Sequence, residues 1–180
     1  MILPRELFSS AQEDMRLSYF GGAPGLVASA MVWLISGLFA LNSSPYNAVW
    51  ALFIGGMFIF PLSIAISKAL GRSGKHSKGN PLGRLALEGT FILIVCAPLA
   101  YVVALYRIEW FFPAMLFIIG SRYLTFSTLY GLRMYWLCGA VLIALGCLLV
   151  VFQASLAAGA FAGAIVELLF SVAVFARSRV

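Results

Sequence analysis

Long apolar runs broken by short polar stretches dominate the chain from residue 24 onwards. Six such runs cover approximately 24–41, 47–70, 82–106, 110–132, 134–152 and 155–176. A helix rises ~1.5 Å per residue, so about 20 apolar residues cross the hydrocarbon of a bilayer. The pattern therefore predicts an all-α polytopic integral membrane protein of about six transmembrane helices. The breaks have turn chemistry: Asn42-Ser43-Ser44-Pro45, the Gly-, Ser- and Lys-rich stretch from Gly71 to Pro81, and Arg107-Ile108-Glu109. Pro61 and Pro98 fall inside runs and predict kinks.

Residues 1–23 do not span. Ser10-Ala11-Gln12-Glu13 reads as a capping box, and Leu7, Ala11, Met15 and Tyr19 recur every four positions on one helical face. A short amphipathic helix lying on the membrane is predicted. Gly21-Gly22 ends it, and Pro24 suits the opening of the next helix. The chain thus divides into an interfacial segment, 1–23, and a transmembrane domain, 24–180.

Composition agrees: 63% of residues are hydrophobic and only 10% are charged, too few to wet a soluble surface. The net charge of +6 changes the picture through its placement. Arg5, Arg16, Lys68, Arg72, Lys75, Lys78, Arg84, Arg133, Arg177 and Arg179 flank alternate connections, whereas the first, third and fifth connections hold only Arg107. The positive-inside rule then predicts both termini on the cytoplasmic side. Tyr46, Trp50, Tyr106, Trp110, Phe111 and Phe112 are expected to belt the outer face, and Tyr130, Tyr135 and Trp136 the inner one. No basic stripe interleaved with aromatics lies outside the runs, so nucleic acid is not an expected partner; membrane lipids are. No cleavable signal peptide is predicted, because no charged n-region with a cleavage site precedes the first run.

Charges inside the bilayer are costly and so are the residues that carry information. Three qualify: Glu88, Arg122 and Glu167. Arg122 lies eleven positions before Arg133 and Glu167 ten before Arg177, which puts both roughly 15 Å from the same boundary. Equal depth predicts an Arg122–Glu167 pair, with Glu88 a third member nearer the surface. Such a pair is either a structural neutralisation or a polar site for a substrate, ion or proton. If the two are paired, Arg122→Leu strands Glu167 and changing both restores much of the fold. Ser121, Thr125 and Thr128 share a face bordering Arg122, and either line a cavity or hydrogen-bond within the helices. Gly159 and Gly163 form a small-xxx-small motif for close helix packing, and Glu167 continues its spacing inward. A homo-oligomer and a small-molecule or ion ligand are both compatible with these features.

Other chemistry is sparse. Cys96, Cys138 and Cys147 have no metal or redox spacing and read as buried thiols. His76, in a basic loop, reads as solvated. No HExxH, GxSxG, Walker or GxGxxG pattern stands in a usable context, so no metal and no cofactor is expected, and a membrane enzyme, with only Glu88 and Glu167 as acid or base, is the weaker class.

Three stretches carry a family resemblance: Ala11-Gln12-Glu13-Asp14-Met15-Arg16 leading into Gly21-Gly22-Ala23-Pro24-Gly25; Gly79-Asn80-Pro81-Leu82-Gly83-Arg84 running to Glu88-Gly89-Thr90; and Trp110-Phe111-Phe112-Pro113-Ala114-Met115 continuing to Arg122-Tyr123. They resemble a family of small bacterial inner-membrane proteins known only as a domain of unknown function. The resemblance implies a bacterial membrane location and no activity. The residues themselves favour a small transporter or channel-like protein with a polar midplane site. The alternative is a non-catalytic structural, regulatory or lipid-interacting membrane protein.

Overall fold

The computed structural model describes the backbone of residues 5–178 and the side chains of residues 6–178. Arg179 and the side chain of Arg5, counted above among the flanking cations, lie outside them. The described residues form seven α-helices and no strand: α1 (Arg5–Tyr19), α2 (Ala23–Asn42), α3 (Pro45–Ala69), α4 (Leu82–Tyr106), α5 (Phe111–Tyr130), α6 (Met134–Val151) and α7 (Leu156–Ser178). Six helical stretches are long and apolar enough to cross a membrane, the first running through α1 into α2. The predicted spans and turns are present, and α3 and α4 stay helical through Pro61 and Pro98.

Small residues decide the packing. With no hydrophobic drive between helices in lipid, close van der Waals contact must hold the bundle. α5 and α6 cross where Gly120 faces Gly139: a Cβ on Gly139 would lie 2.5 Å from the Gly120 carbonyl oxygen. α2 and α7 interlock ring against glycine, Trp33 over Gly163 and Phe161 over Gly37. Gly159 receives Phe112 of α5, so the small-xxx-small motif serves packing within one chain. α3 lies against α2, where Val32 fills the space beside Gly55. α4 packs on α5, with Leu82, Gly89, Ala100 and Ala104 as its buried positions, and its Tyr101 ring meets Trp50 and Phe53 of α3.

The aromatic belts expected from sequence are only partly formed. Phe111, Phe112 and Tyr135 are 0% exposed and Tyr130 is buried; they form the core instead. Their rings stack helix to helix, as in Phe53–Phe111 at 5.3 Å and Tyr130–Tyr135 at 5.7 Å, where edge and face contacts add to area burial. Tyr46, Trp50, Tyr106 and Trp136 do remain exposed.

α1 differs from its sequence reading in two ways. It is already helical at Arg5, so Ser10 sits inside the helix and caps nothing. The Ala11 and Met15 face is buried against protein, while Leu7 is exposed. Three consecutive left-handed residues, Phe20, Gly21 and Gly22, turn the chain from α1 into α2. Gly22 is obligatory there, because a Cβ would lie 2.5 Å from the Tyr135 hydroxyl.

α1 ties the ends of other helices together. Gln12 Nε2 donates to the Thr128 carbonyl at 2.7 Å and Arg16 Nη1 to the Tyr130 carbonyl at 2.8 Å. Those are orphan acceptors at the C-terminus of α5, where the helix dipole also favours a cation. Asp14 accepts from the Ser77 amide, the Ser77 hydroxyl and Asn80 Nδ2. Asn80 Nδ2 also donates to the Ala11 carbonyl, while its Oδ1 accepts from the Leu82 amide at the start of α4. His76, read from sequence as solvated, shares a 2.9 Å hydrogen bond with the Tyr19 hydroxyl. The 71–81 loop is therefore a fitted part of the fold.

Two expected outcomes follow from this packing. Gly139→Val drives a side chain into the Gly120 backbone and lowers detergent thermal stability by roughly 1–3 kcal/mol or more, whereas Gly56→Ala, which meets nothing within 4 Å, leaves the melting curve unchanged. Burial opposes the Asp14 charge, but the bonds from Asn80 and Ser77 outweigh it and hold the carboxyl below its ordinary range. Its stabilisation is complete above the unfolded value of about 3.9 and fades as pH falls through the lowered folded value. Asp14→Ala at neutral pH therefore speeds tryptic cleavage after Lys75 and Lys78, and Asp14→Asn flattens the acid limb of the stability–pH curve.

Candidate functional site

α5 presents two adjacent polar residues to two different helices. Successive residues on a helix point about 100° apart, so Arg122 and Tyr123 cannot face the same neighbour. Arg122 turns to α4, where Nη2 donates to Thr90 Oγ1 at 2.9 Å. Its guanidinium also lies over the Phe126 ring, 5.3 Å from the centroid, a cation–π contact one turn along α5. Tyr123 turns to α7, where its hydroxyl donates to Glu167 Oε1 at 2.7 Å.

Glu167 is 0% exposed. α7 delivers it inward because Gly163, one turn earlier, lets Trp33 of α2 seat against the same face. Ser29 of α2 lies buried beside the carboxyl. Tyr135 and Cys138 of α6 complete the surroundings, both fully buried. Glu167 Oε2 nevertheless has no hydrogen-bond partner among the described residues, and neither has Arg122 Nε.

The direct Arg122–Glu167 pair expected from equal depth is not formed. The salt bridge present among the described residues joins Arg107 and Glu109 at 3.9 Å, at the far end of the bundle. Arg122 and Glu167 bond to different helices and do not touch. Depth was matched from sequence and azimuth was not: the α5 residue that faces α7 is Tyr123.

Of the remaining predicted residues, Glu88 stands apart. It precedes Thr90 by two positions, about 200° around α4, so it points away from Arg122 and is exposed without a salt bridge. Ser121, Thr125 and Thr128 are exposed on the flank of α5. The Thr125 hydroxyl donates to the Arg122 carbonyl at 2.7 Å and lies near Gly89 of α4. Thr128 takes part through its carbonyl, bonded to Gln12. Tyr123, Thr90 and Ser29 were missed, although each carries a hydroxyl inside an apolar run, the signal that singled out Thr125.

No three His, Cys, Asp or Glu side chains gather as metal ligands among the described residues. What the arrangement offers is a neutralisable carboxyl in the core and a cation held by a hydroxyl on α4. Together with the apolar helices this defines an all-α polytopic membrane protein with a charged interior. The chain belongs to a family of unknown function, DUF7010, whose pattern matches residues 8–177. No curated protein and no solved structure matches it.

A double-mutant cycle on thermal stability distinguishes the two contacts. Tyr123→Phe leaves a buried carboxyl oxygen unbonded and costs about 1–3 kcal/mol, most of which disappears in a Glu167→Leu background, where no acceptor remains. Arg122→Gln and Glu167→Gln are expected to couple more weakly than that pair, and equal or stronger coupling would mean the sequence-predicted ion pair exists.

Proposed function

We propose that this protein is a small membrane transporter, described in a closed state, whose polar site joins Arg122 and Thr90 to Glu167 and Tyr123. The observation that carries this reading is that two intramembrane charges fail to neutralise each other. A purely structural role predicts a mutual, fully bonded pair, since an unpaired buried charge costs several kcal/mol. Here each keeps a buried atom without a hydrogen-bond partner among the described residues. Such groups persist where a ligand, ion or proton completes them in part of a cycle.

The placement of the contacts supports movement. α4 packs mainly on α5 and meets α3 through the Tyr101 ring, 6.0 Å from Trp50 and 6.4 Å from Phe53, and the Arg122–Thr90 bond is its polar tie at mid-depth. Displacing α4 opens a route to Arg122 without disturbing the close α2–α7 and α5–α6 packing. Clustering of Arg16, Lys68, Arg72, Lys75, Lys78, Arg84, Arg133 and Arg177 towards the α1 end supports an inner, plasma-membrane location of that end in a bacterial cell. Enclosure of Glu167 favours a second reading, a non-catalytic structural or regulatory membrane protein.

Cysteine accessibility separates the two. Thr90→Cys, in a chain with Cys96, Cys138 and Cys147 replaced, is treated in membranes with a charged, membrane-impermeant thiosulfonate from each side. Transport predicts labelling that depends on Glu167, altered by Glu167→Gln. Absence of labelling from both sides, in both backgrounds, favours the structural reading.

A further inference from the structure

We infer that Glu167 is a proton-binding site: its carboxyl exchanges one proton, carried on Oε2, and does not hold a metal cation. This deepens the transport reading by naming the ion.

The two carboxyl oxygens are not equivalent. Oε1 accepts from the Tyr123 hydroxyl and so takes the carbonyl role when the group is neutral. Oε2 takes no hydrogen bond of good geometry, and the Ser29 hydroxyl of α2 is the donor within reach of the carboxyl. Protonation forms one O–H bond on Oε2 and cancels one negative charge, and nothing is oxidised or reduced. A hard metal cation asks for about six oxygen ligands. The oxygens at hand are those of Glu167, Ser29 and Tyr123, and the Tyr123 proton already points at Oε1.

The groups facing the carboxyl from each packed element are few. α5 contributes Tyr123, with Arg122 turned aside towards α4 but near enough to act through its charge, α6 contributes Tyr135 and Cys138, and α2 contributes Ser29. Arg122 is the one permanent charge among them. A negative Glu167 is attracted to it, and a neutral Glu167 is not, so gaining a proton releases Arg122 towards Thr90 and α4. The proton thereby bears on the contact that fastens α4.

Packed tyrosine rings also mark a direction towards the α1 end. Ser171, one turn beyond Glu167 on α7, is buried. Tyr123 and Tyr135 lie 6.0 Å apart by ring centroids, and Tyr135 stacks on Tyr130 at 5.7 Å. The Tyr135 hydroxyl ends on the Gly21 carbonyl at the α1–α2 turn. This series leads from Glu167 to the α1 end.

Infrared difference spectroscopy of the full chain in phospholipid nanodiscs tests the proposal. Acidification is expected to raise a protonated-carboxyl C=O band in the wild type and in Glu88→Gln, and the band is expected to be missing from Glu167→Gln. In Tyr123→Phe it moves to higher frequency, because the donor to Oε1 is gone. Sodium or potassium chloride at constant pH leaves it in place. A spectrum of Glu167→Gln identical to wild type overturns the proposal, and so does loss of the band on adding sodium. Should Glu167→Gln not fold, an unshifted band in Tyr123→Phe overturns it. If the band fails while Thr90→Cys still labels from the aqueous side, the proton assignment falls and the transport reading stands; a titrating band in a protein that never labels does the reverse.

Discussion

Two neighbouring side chains on one helix, Arg122 and Tyr123, hold two other helices at once, and the rest of the interior is arranged around that division. The hydrocarbon offers no water to an unbonded polar group, so each polar side chain at mid-depth must find a partner on whichever helix its azimuth faces. Arg122 finds Thr90 on α4, and Tyr123 finds Glu167 on α7. α5 is thereby the common member of both contacts. A change in the charge of Glu167 acts on Arg122 through space and on Tyr123 through a bond, and so reaches both flanks of α5.

The glycines make this arrangement rigid where it needs to be. Gly120 against Gly139 fixes α5 on α6, and Trp33 on Gly163 fixes α2 on α7. These contacts are backbone-close and tolerate no added atom, so neither pair can slide without losing most of its dispersion energy. α4 has no comparable lock. Its large side chains Leu87, Phe91, Ile94 and Leu99 are exposed, and it is tied at its beginning by Asn80 and α1, at mid-depth by Arg122, and towards its end by Tyr101 against Trp50 and Phe53 of α3. The fold thus divides into a tightly packed set that encloses Glu167 and a helix without a glycine lock, with Arg122 at the boundary between them.

Much of this was legible in the sequence. Six spans came from run length, and the inward placement of Glu167 came from its spacing after Gly159 and Gly163. Two kinds of information were not legible. Azimuth was one: Arg122 and Glu167 share a depth, yet 100° of helical phase gives the contact to Tyr123. Tertiary capture of polar loops was the other. His76 read as solvated, and Asp14, Ser77 and Asn80 carry no local signal of their contacts, because these hydrogen bonds join positions some sixty residues apart. Similarly, Phe111 and Phe112 sit at a span end, where belts form, but the close approach of α7 at Gly159 draws Phe112 inward.

Motion of α4 relative to α7, governed by the charge of Glu167, is the central claim, and pulsed electron paramagnetic resonance reads it directly. Spin labels at the exposed positions Leu87 on α4 and Leu169 on α7, with the native cysteines replaced, report that separation in lipid. The distance distribution is expected to shift with pH in the wild-type background and to stay at the acidic limit at every pH in Glu167→Gln. One unchanging distribution, shared by both proteins across pH, would contradict it.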